Sequence, residues 1–373
     1  MKIKNKIIIV IVALSVMMFG CVVIGVANSL NTPKHVEAGK IFHVSQEKCY
    51  YVQNCAHCNT VQHDTDMDFI QILQNVEKCD KIILDEDIYV ANIILDDNFV
   101  SETKNQIDIN LDLNNYSITS NANKDEGISL FDIQANNYSV NLNIENGSLY
   151  ANKLLYVFNF TNSNNKTIHL NLNNVTSKTI GNNTTPLFAH NTSENIVVNA
   201  TNCEFIAEKS ASVETKNTGA FINSESEFNF NNCTFEGGDG VYVKQGKINF
   251  VGCTLINNNL GKQGDTLVKS DTFISAGRCL VADSYNYTQD EQILTTKFNI
   301  TIDKCIFIAK TSNVAVIIDA NNEGKFNENS IINIKSAKFT SANIEESLNK
   351  SIVTMSTSIK FLGENSYQIG EDF

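Results

Sequence analysis

Apolar and polar positions along the chain fall into a recurring octet: apolar, any, apolar, any, Asn-like, small, any, apolar. It reads LDLNNYSI from Leu111, LNIENGSL from Leu142, LNLNNVTS from Leu170, VNATNCEF from Val198, FNFNNCTF from Phe228 and INFVGCTL from Ile248. It continues as ISAGRCLV from Ile274, ITIDKCIF from Ile300, INIKSAKF from Ile332 and IKFLGENS from Ile359; a looser copy, IILDEDIY, begins at Ile82. Apolar residues at positions one and three are strand alternation. In an unbroken strand, positions six and eight would point the other way. Both pairs face one interior only if a corner between them reverses the parity. The fifth position, Asn115, Asn146, Asn174, Asn202 and Asn232 in successive copies, suits that corner, because Asn tolerates the left-handed conformation and bonds the local backbone. Internal repetition of this kind predicts a solenoid. The spacing fits the coils of a three-sided parallel β-helix.

Two further files follow from stacking. The sixth position is Cys203, Cys233, Cys253, Cys279 and Cys305, expected as a packed column of small apolar thiols rather than a disulfide or metal column. The eighth is Tyr89, Ile118, Leu149, Phe205, Phe235, Leu255, Val281, Phe307 and Phe339, expected as an interior stripe. Ahead of the first coil, residues 64–78 put Phe69, Ile72, Leu73 and Val76 on one helical face, with Asp64, Thr65 or Asp66 to cap its start. Such a helix would close the open end of a solenoid.

The octets and the leading helix resemble those of the right-handed parallel β-helix proteins of the pectin-lyase-like fold, over roughly residue 65 to the end. The resemblance implies an all-β solenoid of about eleven coils, a rod on the order of 50 Å at about 4.8 Å per coil. It implies little about activity, since one fold hosts many functions. Polysaccharide lyases of this fold use calcium-binding carboxylates with an Arg or Lys base. The related hydrolases carry Asn-x-Asp, an Asp pair, Gly-His-Gly and Arg-x-Lys. Here Arg278 is the only arginine, Asp96-Asp97 lacks a His-Gly partner, and no matching set occurs. Asp85, Glu86 and Asp87 cluster at the first corner, where a charged turn explains them as well as calcium does.

The start of the chain is an address. Lys2, Lys4 and Lys6 precede Ile7 to Ala27, a stretch without charge, long enough as a helix to span roughly 30 Å at about 1.5 Å per residue. It reads as a transmembrane anchor, or as a signal peptide cleaved after Ala27, where Gly25 and Ala27 are small. Cys21 as a lipidation site is poorly served by Met17-Met18-Phe19-Gly20 before it. The expected organisation is 1–27 signal peptide or anchor, 28–63 stalk and Cys-containing segment, and 64–373 β-helix with its capping helix at 64–78. In the second segment Cys49, Cys55 and Cys58, with Cys79 after the helix, are disulfide candidates in an oxidising compartment. Cys55 and Cys58 are also weak zinc candidates, lacking a second matched pair.

Charge completes the picture. With 28 Lys and Arg against 41 Asp and Glu, the net charge is −13, which argues against nucleic acid as a partner. The expected protein is exported and membrane-anchored at the cell surface or secreted. Its role would be adhesive, binding or structural toward carbohydrate or other surface polymers, with no cofactor. The competing class is a polysaccharide lyase or glycoside hydrolase of the same fold.

Overall fold

The computed structural model describes residues 39–44, 49–53, 68–99, 104–120, 122, 128–134, 136–160, 166–181, 183–190, 194–209, 217–258, 279–284, 286–289, 292–309, 316–320, 330–341, 352–354, 360–361 and 367–369. Within them the protein is all-β apart from one helix. Its strands are mostly parallel and join in one long sheet, consistent with a parallel β-helix.

The pairings sort into three files that the chain visits in turn. The first face runs through Lys40–Val44, Lys81–Leu84, Gln106–Asp112, 139–145, 168–173, Ile196–Thr201, 227–231, 246–251, Phe298–Asp303, Ile331–Ile334 and Lys360–Phe361. The second runs through Ile88–Val90, Ser117–Ser120, 148–151, 175–181, Glu204–Lys209, Thr234–Gly237, Thr254–Asn257, Cys305–Ala309, Ala337–Ser341 and Tyr367–Ile369. The third runs through Ile93–Leu95, Ser129–Ile133, Tyr156–Phe160, Thr185–Ala189, 218–222, 239–243, Leu280–Ser284, Val316–Ala320 and Ile352–Thr354. A separate antiparallel hairpin, Asn286–Gln289 with Gln292–Thr295, lies in the chain between the third-face strand Leu280–Ser284 and the first-face strand Phe298–Asp303.

The interior is one continuous apolar cluster. On the first face, Leu142, Leu170, Val198, Phe228, Ile248, Ile300 and Ile332 stack in register and are all buried. A turn in the left-handed region joins the first face to the second. It is held by Asn146, Asn174, Asn202 and Asn232 at φ 58, 56, 54 and 52, and then by Gly252 and Lys304 at 63 and 54. Either side of it Phe230, Cys233 and Phe235 all point inward and are buried, so the corner does reverse the strand parity.

Several octets sit in a different register from the one the pattern suggests. Leu111 pairs with Ile144, and the partner of Leu142 is Ile109. That corner is longer, with both Asn114 and Asn115 left-handed and Leu113 filling the added interior. At the first corner the turn is shorter. Ile88, not Tyr89, faces Ile118, and Tyr89 is 50% exposed. Ile248 pairs directly with Ile300, so ISAGRCLV is not a rung of the first face; its described part lies on the third face, where Val281 pairs with Tyr242. Near the end, Ile332 pairs with Phe361 rather than Ile359.

The N-terminal end is closed as a solenoid requires. Lys40–Val44 adds a rung ahead of Ile82 and pairs antiparallel with Cys49–Gln53. Helix α1, Phe69–Asn75, buries Phe69, Ile72 and Leu73. It is shorter than 64–78, and Asp68 rather than Asp64, Thr65 or Asp66 caps it, in a reciprocal capping box with Gln71. Residues 1–38 and 54–67, which include the anchor or signal stretch, lie outside the described residues. Among the described residues no helix is long and apolar enough to cross a membrane.

Candidate functional site

Stacked rungs turn a residue type repeated in sequence into a file of identical groups in space. The corner asparagines behave this way in part. Asn174 Nδ2 donates to Asn146 Oδ1 at 3.3 Å, Asn232 Nδ2 to Asn202 Oδ1 at 3.5 Å, and Asn146 Nδ2 to Asp112 Oδ1 at 3.2 Å. Asn115 sits over Asn146 through a backbone bond of 2.7 Å from its N–H to the Asn146 carbonyl.

A second and more regular amide file lies on the outside of the first face, at the second octet position from Asn143 onward and at Asn110 in the rung before it. Asn143 Nδ2 donates to Asn110 Oδ1 at 2.9 Å, Asn171 to Asn143 at 2.8 Å, Asn199 to Asn171 at 2.9 Å, Asn229 to Asn199 at 3.0 Å and Asn249 to Asn229 at 2.7 Å. Asn110 in turn donates to the Asp80 carbonyl at 3.0 Å, tying the file to the segment after α1. Every amide points its N–H toward the preceding rung, so the dipoles align and polarise one another. The file then continues in register as Thr301 and Asn333. Sequence reasoning passed over it, although the signal is there: LNI, LNL, VNA, FNF and INF each hold Asn between two buried residues.

Charged groups flank the file. Lys81 Nζ bridges Asp112 at 3.0 Å and Glu145 at 2.9 Å, and Lys247 meets Glu227 at 3.1 Å. Hydrogen bonding to Glu145 raises the Lys81 pKa against the opposing effect of burial. Burial pulls Asp112 upward, but bonding from Lys81 and Asn146 outweighs it and holds the carboxyl below its ordinary value. Asp108 accepts from Gln106 at 2.8 Å and Asn141 at 3.0 Å.

The cysteines divide. Cys203, Cys233, Cys253 and Cys305 are buried along one interior column, with thiols directed at backbone carbonyls: Cys233 to Ala200, Cys253 to Phe230 and Cys305 to Phe250. Hydrogen bonding to Cys233 and then burial push the Cys203 thiol up. Cys279 is also buried but stands apart, beside the third-face strand Leu280–Ser284, where desolvation pushes its thiol up. It belongs to a different file from the other four because the rung above Cys253 is Cys305. Cys79 is exposed with a free thiol. Cys49 lies in the strand Cys49–Gln53; Cys55 and Cys58 fall outside the described residues. Among the described residues no three His, Cys, Asp or Glu side chains gather to hold a metal.

At the first corner, Asp85 meets His43 at 3.1 Å and Asp87 accepts from Ser117 N–H and Oγ at 2.8 and 2.9 Å, so these acids bond within the protein. Asp97 accepts the N–H groups of Asn136 and Asn137, both at 2.8 Å.

The outward file of the third face runs Ile94, Asp132, Asn159, Phe188, Phe221 and Tyr242. Its aromatic half is a ring stack: Tyr156 on Phe188 at 4.2 Å, Phe188 on Phe221 at 5.1 Å and Phe221 on Tyr242 at 5.3 Å. Rings stacked on one another occupy each other's faces and turn edges outward, so this ridge braces the rungs. Its polar half holds a buried carboxyl. Asp132 accepts from Gln134 at 2.6 Å and Asn159 at 2.9 Å, yet burial raises its pKa despite both bonds, with a smaller push from Asp96. A folded state that keeps a proton the unfolded chain gives up loses stability as pH rises through the raised value. Asp132→Asn removes that proton. The difference in melting temperature between variant and wild type is therefore expected to move in the variant's favour from pH 3 to pH 7, measured by circular dichroism. A pH-independent difference would mean that Asp132 binds its proton no more tightly in the folded protein than in the unfolded chain.

Compared with known proteins, the chain matches no family model, no curated protein sequence and no solved structure.

Proposed function

We propose that this is an exported cell-surface protein of the right-handed, pectin-lyase-like β-helix kind, held by or released from residues 1–27. Its role is to bind extracellular polymers along its rungs. The observation that carries the reading is the amide file on the first face. It is a rigid row of identical hydrogen-bonding groups, accessible from outside and repeated at the strand spacing of about 4.8 Å. A repetitive surface of that kind matches a repetitive ligand better than a single small molecule, as solenoid faces do in general.

A second reading is favoured by one observation. Asp132, a buried carboxyl on the third face, holds its proton more tightly than an ordinary aspartate, the direction a general acid requires, which would suit a glycoside hydrolase or lyase. One experiment addresses both. Purified full-length protein is incubated with insoluble and soluble polysaccharides. Depletion of protein onto polymer, without new reducing ends or unsaturated uronate, is the expected result. New chain ends would replace the binding reading with the enzymatic one, and absence of depletion from every polymer would end it.

A further inference from the structure

Building on that reading, we infer that the amide file of the first face takes an extended, uncharged, hydroxyl-rich polymer laid parallel to the stacking axis.

Hydrogen-bond valence is the first argument. A side-chain amide has two N–H donors and two acceptor sites on its oxygen. In the interior of the file each Asn spends one N–H on the preceding rung and one acceptor site on the next. The second N–H is then distributed unevenly. At Asn171 it reaches Asn141 Oδ1 at 3.3 Å, and at Asn229 it reaches Glu227 Oε1 at 3.1 Å. Asn143, Asn199 and Asn249, the alternate rungs, direct only the ladder bond at their neighbours. Outward donors therefore recur every second rung, about 9.6 Å apart, while outward acceptor sites recur at every rung, about 4.8 Å apart. Hydroxyls both donate and accept. A chain of hydroxylated rings in a two-fold extended form offers one of its edges at every second unit, which is the same alternation.

Charge is the second argument. The flanking positions add Asp108, Asp112, Glu145 and Glu227, while Lys81 and Lys247 are already committed to carboxylates. Four carboxylates against two lysines leave this face acidic in a chain of net charge −13, so it repels polyanions. That selects a neutral polymer over a uronate or phosphate polymer. Pre-organisation is the third: the amides are already held in one orientation by their neighbours, so little side-chain entropy is lost on contact.

The test measures binding of full-length protein to a soluble linear β-glucan and to polygalacturonate by affinity electrophoresis. The β-glucan is expected to retard the protein and polygalacturonate is not. Asn143→Ala with Asn199→Ala removes two outward donors and is expected to weaken glucan binding by about tenfold or more. Asn143→Thr with Asn199→Thr leaves one donor at each rung, as Thr301 has naturally in the same file, which can turn to the polymer once the ladder bond is given up, and is expected to stay within about threefold. Tyr89→Ala, on the second face, is expected to leave binding unchanged. Circular dichroism melts confirm that each variant is folded. If the paired alanine variant does not fold, the threonine pair and single Asn199→Ala carry the comparison. Polygalacturonate binding without glucan binding overturns the neutral-polymer inference but leaves polymer binding standing. Glucan binding untouched by both Asn variants overturns the choice of face. A concentration-dependent dimer dissolved by Asn199→Ala makes a second copy the occupant and overturns it too. Retention by no polymer removes the wider reading as well.

Discussion

Phe230→Ala is expected to destabilise the protein by about 3–5 kcal/mol, the range for deleting a buried aromatic ring. Phe230 is 1% exposed. Its ring stands edge-on to Phe235 at 4.9 Å and to Phe205 at 5.9 Å, and it stacks on Phe250 at 5.5 Å. One ring therefore supports three others across two faces of the interior. Relaxation that would shrink the cavity needs neighbouring rungs to approach, and their separation is set by parallel backbone pairing, Ala200 to Phe230 to Phe250. The cavity stays open, which places the cost at the upper end of the range. Because each rung leans only on its neighbours, the defect is also expected to divide a single thermal transition into two. Urea unfolding followed by circular dichroism measures the first effect and calorimetry the second. A loss below about 1 kcal/mol would show that the interior collapses around the gap, and the rigid-rung account would fail.

The inward residues were legible in the sequence because burial imposes alternation, and alternation survives in a single chain. The left-handed corner was legible for the same kind of reason, since Asn146, Asn174, Asn202 and Asn232 answer a backbone demand that few residues meet. The octet failed wherever a corner changed length. One residue fewer before Ile88 turned Tyr89 outward, and the longer corner at Asn114 and Asn115 moved Leu111 into register with Ile144. A fixed-length pattern cannot register either event, because strand pairing and not sequence spacing sets what lies above what. The third face stayed hidden because its strands begin at variable distances from the octets. PLFAH, GAFIN and GVYVK share an apolar-aromatic-apolar core that becomes the Phe188, Phe221 and Tyr242 stack, but only stacking aligns them. Cys279 was misplaced by the same blindness, a Cys at the right offset on the wrong face. The outward amide file was missed for a different reason. A polar residue between two buried ones looks like ordinary solvent-facing alternation, and its ladder exists only once rungs are superposed.

Gly240→Ala is expected to cost about 2–4 kcal/mol, more than its single added methyl suggests. A Cβ at Gly240 would overlap the carbonyl oxygen of Cys279. That oxygen cannot retreat, because it accepts the Val241 N–H at 2.9 Å and thereby joins two third-face rungs. The same close approach repeats one rung earlier, where a Cβ at Gly219 would overlap the Gly240 carbonyl oxygen. Two successive rungs thus pass backbone against backbone at the edge between the second and third faces, and added bulk there has to part the rungs. Gly252 supplies the contrast. It holds φ 63 at the corner where four preceding copies use Asn, and the atom a Cβ would meet is Oδ1 of Asn232, the end of a side chain that can rotate away. Gly252→Asn is therefore expected to stay within about 1 kcal/mol of wild type, Asn being the residue other than Gly most at ease in the left-handed region. Paired urea titrations of the two variants measure the difference directly. Equal losses would mean that backbone conformation, not rung-to-rung contact, governs both positions. A near-neutral Gly240→Ala would mean that the rungs at this edge are free to separate.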